Sequence, residues 1–166
     1  KDQVNLGRGG WYGSPFTLGI NLTAKYEGFT LFVLGTGGWG GNAFTNNSYY
    51  WIDGEDKYSA VVRNRWTPET ASTATYPRLT TGNGVNNLTN SNFWIYSTDQ
   101  FNLSKVQLTY DFPQQWFRGN GFVHGLSAYV SGNNLLKIAK NREILELNVT
   151  SAPQSRFYNL GVQVTF

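Results

Sequence analysis

Residues 16–26, FTLGINLTAKY, alternate without a fault. Phe16, Leu18, Ile20, Leu22, Ala24 and Tyr26 are apolar, and Thr17, Gly19, Asn21, Thr23 and Lys25 between them are not. A period of two over eleven residues is a strand with one apolar and one polar face. Glu27-Gly28 follows, a two-residue turn whose glycine tolerates positive φ, and a second strand starts at Phe29. A two-residue loop fixes the register. It sets Tyr26 opposite Phe29, Ala24 opposite Leu31, Leu22 opposite Val33, Ile20 opposite Gly35, Leu18 opposite Gly37 and Phe16 opposite Trp39.

One face of this hairpin is therefore aromatic at both ends and aliphatic or glycine between. Ten residue steps at ~3.3 Å, tilted by about 40°, rise roughly 25 Å, the height of the apolar band on an outer-membrane barrel. A half-buried hairpin in a soluble sandwich explains the alternation equally well, but the aromatic layering less well. Phe32 and Leu34 break the pattern. They fall on the polar face and need something there to pack against.

Three more strands are expected. Residues 101–112 alternate through Val106, Leu108, Tyr110 and Phe112. Phe101 and Leu103 are out of phase, which predicts a bulge or a change of environment near Ser104. Residues 122–135 alternate through Leu126, Ala128, Val130 and Gly132. Residues 156–166 form the last strand, with Phe157 off its pattern. FWIY at 93–96 reads as an upper extension of the third strand. The connections run short (27–28), long (about 40–92), short (113–120) and long (136–155). Outer-membrane barrels pair short periplasmic turns with long extracellular loops in this way.

Composition supports an all-β chain and excludes several classes. Aromatic residues reach 16% and charged residues only 14% of the 166, with 19 glycines. Soluble domains average about 25% charged. The formal charge is +3 and the basic residues are scattered, so no nucleic-acid stripe is present. There is no cysteine, which removes disulfides and thiolate metal sites. No apolar run approaches the roughly 18 residues of a membrane helix.

Enzymatic chemistry finds no constellation. His124 is the only histidine; it sits at the start of an expected strand near a turn, and without a partner base and nucleophile it reads as a solvated or locally bonded side chain. GRGG and GTGGWGG lack the lysine of a phosphate loop. DGED at 53–56 lacks calcium-loop spacing and reads as a solvated turn. We therefore expect no catalytic residue, metal or cofactor. Within the long loop, Tyr49, Tyr50 and Trp51 have two readings: a stacking surface for sugar rings or a lid protein, or packing of the loop on itself or the wall. Trp66 and Tyr76, beside Pro68 and Pro77, read as anchors of that loop.

NLTAKYEGFTLFVLGTGGWG, RWTPETASTATYPRL, FNLSKVQLTYDFP, LSAYVSGNNLL and the closing YNLGVQVTF occur in that order. Together they resemble the C-terminal barrel region of the SusC/RagA family of TonB-dependent outer-membrane transporters. The resemblance implies an antiparallel transmembrane β-barrel segment, about five C-terminal strands of a barrel of about 22. Residues 1–166 would be that C-terminal part, with the plug outside this chain. We expect a fragment with an omitted upstream part, a nick in an exposed loop, or a split gene. Residues 1–13 would lie outside the cell.

The resemblance further implies import of glycans, oligosaccharides or peptides. It implies a Gram-negative outer membrane with the C-terminus periplasmic. The partners it implies are the rest of the barrel and plug, a SusD-like lid lipoprotein, the TonB complex and outer-membrane lipid. Asn21, Thr23, Lys25, Gln107, Thr109, Asn159 and Gln163 would face the lumen, lining the cavity or touching the plug. Phe16, Tyr26, Phe29, Trp39, Tyr110, Phe112 and Phe166 would form the membrane girdles, Phe166 also serving as the aromatic signal for barrel assembly. The alternatives are a secreted lectin-like carbohydrate-binding module and a transporter-like barrel that serves as scaffold in a larger complex.

Overall fold

The computed structural model describes residues 14–54, 59–81, 86–119, 122–149 and 151–166. The 1–13 segment with its GRGG run, and half of the DGED turn, lie outside the described residues.

Among the described residues seven strands form two sheets. β1 (Phe16–Tyr26), β2 (Phe29–Trp39), β5 (Gln100–Asp111), β6 (Gly125–Ala139) and β7 (Phe157–Thr165) make one antiparallel sheet in that order. β3 (Asn42–Phe44) and β4 (Ile95–Ser97) make a small second sheet. The large sheet is open, with β1 and β7 as its edges. No helix among the described residues is long and apolar enough to cross a membrane.

The β1–β2 register is the one that the turn dictates. Tyr26 faces Phe29, and Phe16 faces Trp39. Glu27 (φ 43°) and Gly28 (φ 85°) both take positive φ, as a type I′ turn requires. The 27–28 turn joins β1 to β2 and the 112–124 connection joins β5 to β6 at the same end of the strands, the latter longer than the expected 113–120. The long connections leave from the opposite end.

β5 pairs Leu103 with Gly35 and Lys105 with Leu34, so Ser104 is skipped. On its other side the register also jumps between Leu103 and Lys105, and β6 skips Asn134 and Leu135. Asn134 sits at φ 55°. This bulge returns Phe101 and Leu103 to the apolar face, which accounts for their phase in the sequence. The Thr36 and Ser104 hydroxyls bond across it at 2.6 Å.

FWIY does not extend β5. Ile95–Ser97 pairs instead with Asn42–Phe44, and Thr98 N–H donates to the Gly41 carbonyl. The chain turns at Thr98-Asp99, because Asp99 accepts from Gly40 N–H at 2.6 Å and is held by Ser97 Oγ. β6 also runs four residues beyond the expected end at 135, to Ala139. A short α-helix, α1 (Arg142–Leu147), follows it. Arg142 and Glu146 pair at 2.9 Å along one of its faces.

The buried hydrophobic residues among those described are Ile52, Tyr76 and Trp94. All three belong to the 40–99 connection and none to the large sheet. The apolar face of that sheet is open: Leu22 is 61% and Leu160 84% exposed. Each such side chain gains about 1.5–3 kcal/mol when it is fully buried. This sheet needs an apolar cover that the described residues do not supply.

Candidate functional site

Strand registers sort the side chains into two faces. From β1 to β7 the apolar face carries rows such as Leu22, Val33, Val106, Gly132 and Tyr158. At the long-loop end, Phe16 packs on Trp39 with ring centroids 5.8 Å apart. At the short-turn end, Phe29 meets Tyr110 at 4.5 Å, Tyr110 meets Phe112 at 5.0 Å, and Phe112 meets Trp116 at 5.7 Å. Phe166 meets Phe122 at 5.5 Å. Tyr26 lies opposite Phe29 and extends this row. Trp116 lies in the expected turn, where alternation gives no signal, and Phe122, expected to open the strand 122–135, instead precedes β6, which starts at Gly125.

Asn21, Thr23, Lys25, Gln107, Thr109, Asn159 and Gln163 share the other face through their registers. Gln107 donates to Thr109 Oγ1 at 3.1 Å. Phe32 is half-buried on this face between Thr23 and Gln107. Phe157, opposite Asn133, also falls on it.

The long connection folds around Trp94, which is 4% exposed. Its ring meets those of Trp51 (6.0 Å), Tyr76 (5.8 Å) and Phe93 (4.9 Å). Its indole N–H donates to the Asn87 carbonyl at 2.7 Å. Its own carbonyl accepts from the Thr45 N–H and hydroxyl. The Tyr76 hydroxyl donates to the Tyr50 carbonyl at 2.7 Å and accepts from Ile52 N–H at 3.3 Å. Burial raises the Tyr76 phenol above its ordinary pKa, against the opposing effect of the Ile52 N–H. Burial, then the neighbouring Tyr49 and Tyr96, raise Tyr50. Both phenols stay neutral and able to donate.

Tyr49, Tyr50 and Trp51 are thus half-buried parts of this cluster. Tyr49 and Tyr50 meet edge to face at 5.0 Å, and the Ser59 hydroxyl donates to the Tyr49 carbonyl at 2.5 Å. No open row of three stacked rings results.

The open aromatic surface lies on the other side of Trp94. A cleft of about 610 Å³ is lined by Trp66, Tyr76, Arg78, Asn87, Phe93 and Trp94, among others. Trp66 is an anchor through its backbone, donating to the Tyr76 carbonyl at 2.9 Å, but its side chain is 40% exposed. Phe93 is 55% exposed. Sequence reasoning placed Phe93 in a strand and missed the cleft. The only signal was the density of aromatic residues at 93–96.

No protein-family model matches this sequence, and no curated protein matches it. Among solved structures the fold resembles chains of the RagAB peptide importer. In its open-open state the TM-score is 0.67, at 22% identity over 90% of this chain. For the RagAB peptide transporter the TM-score is 0.66, at 21% identity over 89% of this chain. In the closed-closed state it is 0.64, at 21% identity over 90%. This chain spans 17% of the length of those chains.

Proposed function

We propose that residues 1–166 form the C-terminal part of a barrel in the outer membrane of a Gram-negative bacterium. The barrel imports oligosaccharides or peptides and is energised through TonB. The observation that carries this reading is the apolar face of the large sheet, continuous, exposed and rimmed by aromatic rings at both ends. Lipid is the cover that such a face fits, with the rings at the two interfaces. The likeness to importer chains supports it.

In this reading the chain supplies barrel wall and loops and performs no catalysis. Short turns and Phe166 lie on the periplasmic side, and the 40–99 loop lies outside. Asn21, Thr23, Lys25, Gln107, Thr109, Asn159 and Gln163 face the lumen, and Phe32 packs against the plug. A SusD-like lipoprotein closes the outer mouth, and the TonB complex acts on the plug.

Purification of the intact protein from outer membranes tests the reading. Import predicts detergent dependence, one co-purifying lid lipoprotein and uptake that stops when TonB is deleted. A large unrelated complex with no uptake would favour a scaffold. A folded, detergent-free binding protein would favour the lectin-like module.

A further inference from the structure

The geometry points to the Trp66–Phe93 cleft as a binding pocket for a carboxylate carried beside a flat or apolar ring. Its volume of about 610 Å³ falls in the range of small-ligand pockets, about 300–1,000 Å³. Four aromatic side chains line it, and they divide into two pairs. Tyr76 and Trp94 are buried and held by the hydrogen bonds described above. Phe93 packs on Trp94 and Trp66 is tied to Tyr76 through its backbone, yet both side chains keep open faces on the cleft. The result is a rigid floor with two apolar walls, which accepts a ring without having to order itself first.

The charge on the cleft is one-sided. Arg78 lines it, and no acidic side chain does so among the described residues. The Arg78 side chain makes no ion pair among the described residues. The 59–81 segment carries Arg63, Arg65 and Arg78 against Glu69 alone. A guanidinium presents a planar fork of donors that matches a carboxylate through two parallel hydrogen bonds. Here its backbone is fixed as well, since Asn87 Nδ2 reaches the Arg78 carbonyl at 3.4 Å. Arg78 takes the carboxylate, and Trp66 and Phe93 take the ring. A peptide ending in an aromatic residue and an acidic sugar share this chemistry.

The inference rests on the import reading only in placing the 40–99 loop where solutes reach it. The test is calorimetric titration of the intact protein in detergent with N-acetylphenylalanine, its neutral amide, glucuronate and glucose. At least one acid should bind tenfold or more tightly than its neutral counterpart. Preference for N-acetylphenylalanine identifies a peptide end, and preference for glucuronate an acidic sugar. Arg78→Gln should remove the difference between acid and neutral probe. Trp66→Ala should weaken acid and neutral probe alike. Arg78 is exposed, and unchanged circular dichroism confirms that the variant folds. Equal binding of acids and neutral probes, or full acid preference in folded Arg78→Gln, overturns the inference. Uptake without acid preference overturns the pocket alone, and acid preference without uptake overturns import alone.

Discussion

The Phe101 ring occupies the space that a side chain at Gly35 would need: a Cβ built on Gly35 would lie 2.5 Å from Phe101 Cζ. The same ring edge would come within 3.1 Å of a Cβ at Gly37. Phe101 reaches this position because the bulge at Ser104 restores its phase. Two glycines, a bulge and an aromatic ring therefore form one packing unit on the apolar face.

Gly35→Val should force the Phe101 ring away and cost about 1–3 kcal/mol, the usual cost of overpacking. Phe101→Ala should relieve part of that cost. A double-mutant cycle, read by denaturant unfolding of the intact protein, should give a coupling of about 0.5–3 kcal/mol. Strictly additive effects would mean that the ring does not rest on Gly35.

Tyr76→Phe removes a hydroxyl that serves both Ile52 N–H and the Tyr50 carbonyl. Leaving such buried groups unpaired costs about 1–3 kcal/mol. Because the cluster lies wholly in the loop, limited proteolysis within 40–99 should accelerate while the large sheet stays intact.

Alkali should loosen the same loop first. The phenols of Tyr50, Tyr76 and Tyr96 are all raised above the ordinary tyrosine value of about 10, chiefly by burial. A raised acid contributes stability that is complete below about pH 10 and is lost as pH climbs through the folded-state values. Tryptophan emission should therefore shift to the red above pH 10, before the sheet unfolds. In Tyr76→Phe the shift should be smaller.

Phe166→Ser removes the ring that packs on Phe122. On the proposed import reading it should lower the amount of the protein in outer-membrane fractions, as measured by immunoblot. Phe166→Tyr should restore it. Unchanged levels in the serine variant would remove Phe166 from assembly.

The large sheet was legible in the sequence because a two-residue turn and a period of two leave one register. Given Glu27-Gly28, every partner from Tyr26–Phe29 to Phe16–Trp39 follows. The break at Leu103 was visible as a phase error, although its form, two skipped residues on β6 against one on β5, was not. The 40–99 loop was illegible for the opposite reason. Its structure depends on where Ile52, Tyr76 and Trp94 meet, and residues far apart in an aperiodic segment leave no trace of that meeting. FWIY looked like part of β5 because it is apolar and near. The Asp99–Gly40 bond, which turns the chain, has no local signature. α1 is one short helix of six residues, too brief for a helical period to show.

The central claim is that the apolar face of β1 meets lipid and its other face does not. This chain has no cysteine, so once any cysteine elsewhere in the intact protein is replaced, single cysteines along β1 can carry an environment-sensitive fluorophore. Probes at Leu18, Ile20 and Leu22 should emit in the blue and be quenched by brominated lipid. Probes at Gly19, Asn21 and Thr23 should escape that quenching. Quenching that alternates with a period of two is the predicted result. Uniform quenching, or none at any of the six positions, would contradict the account.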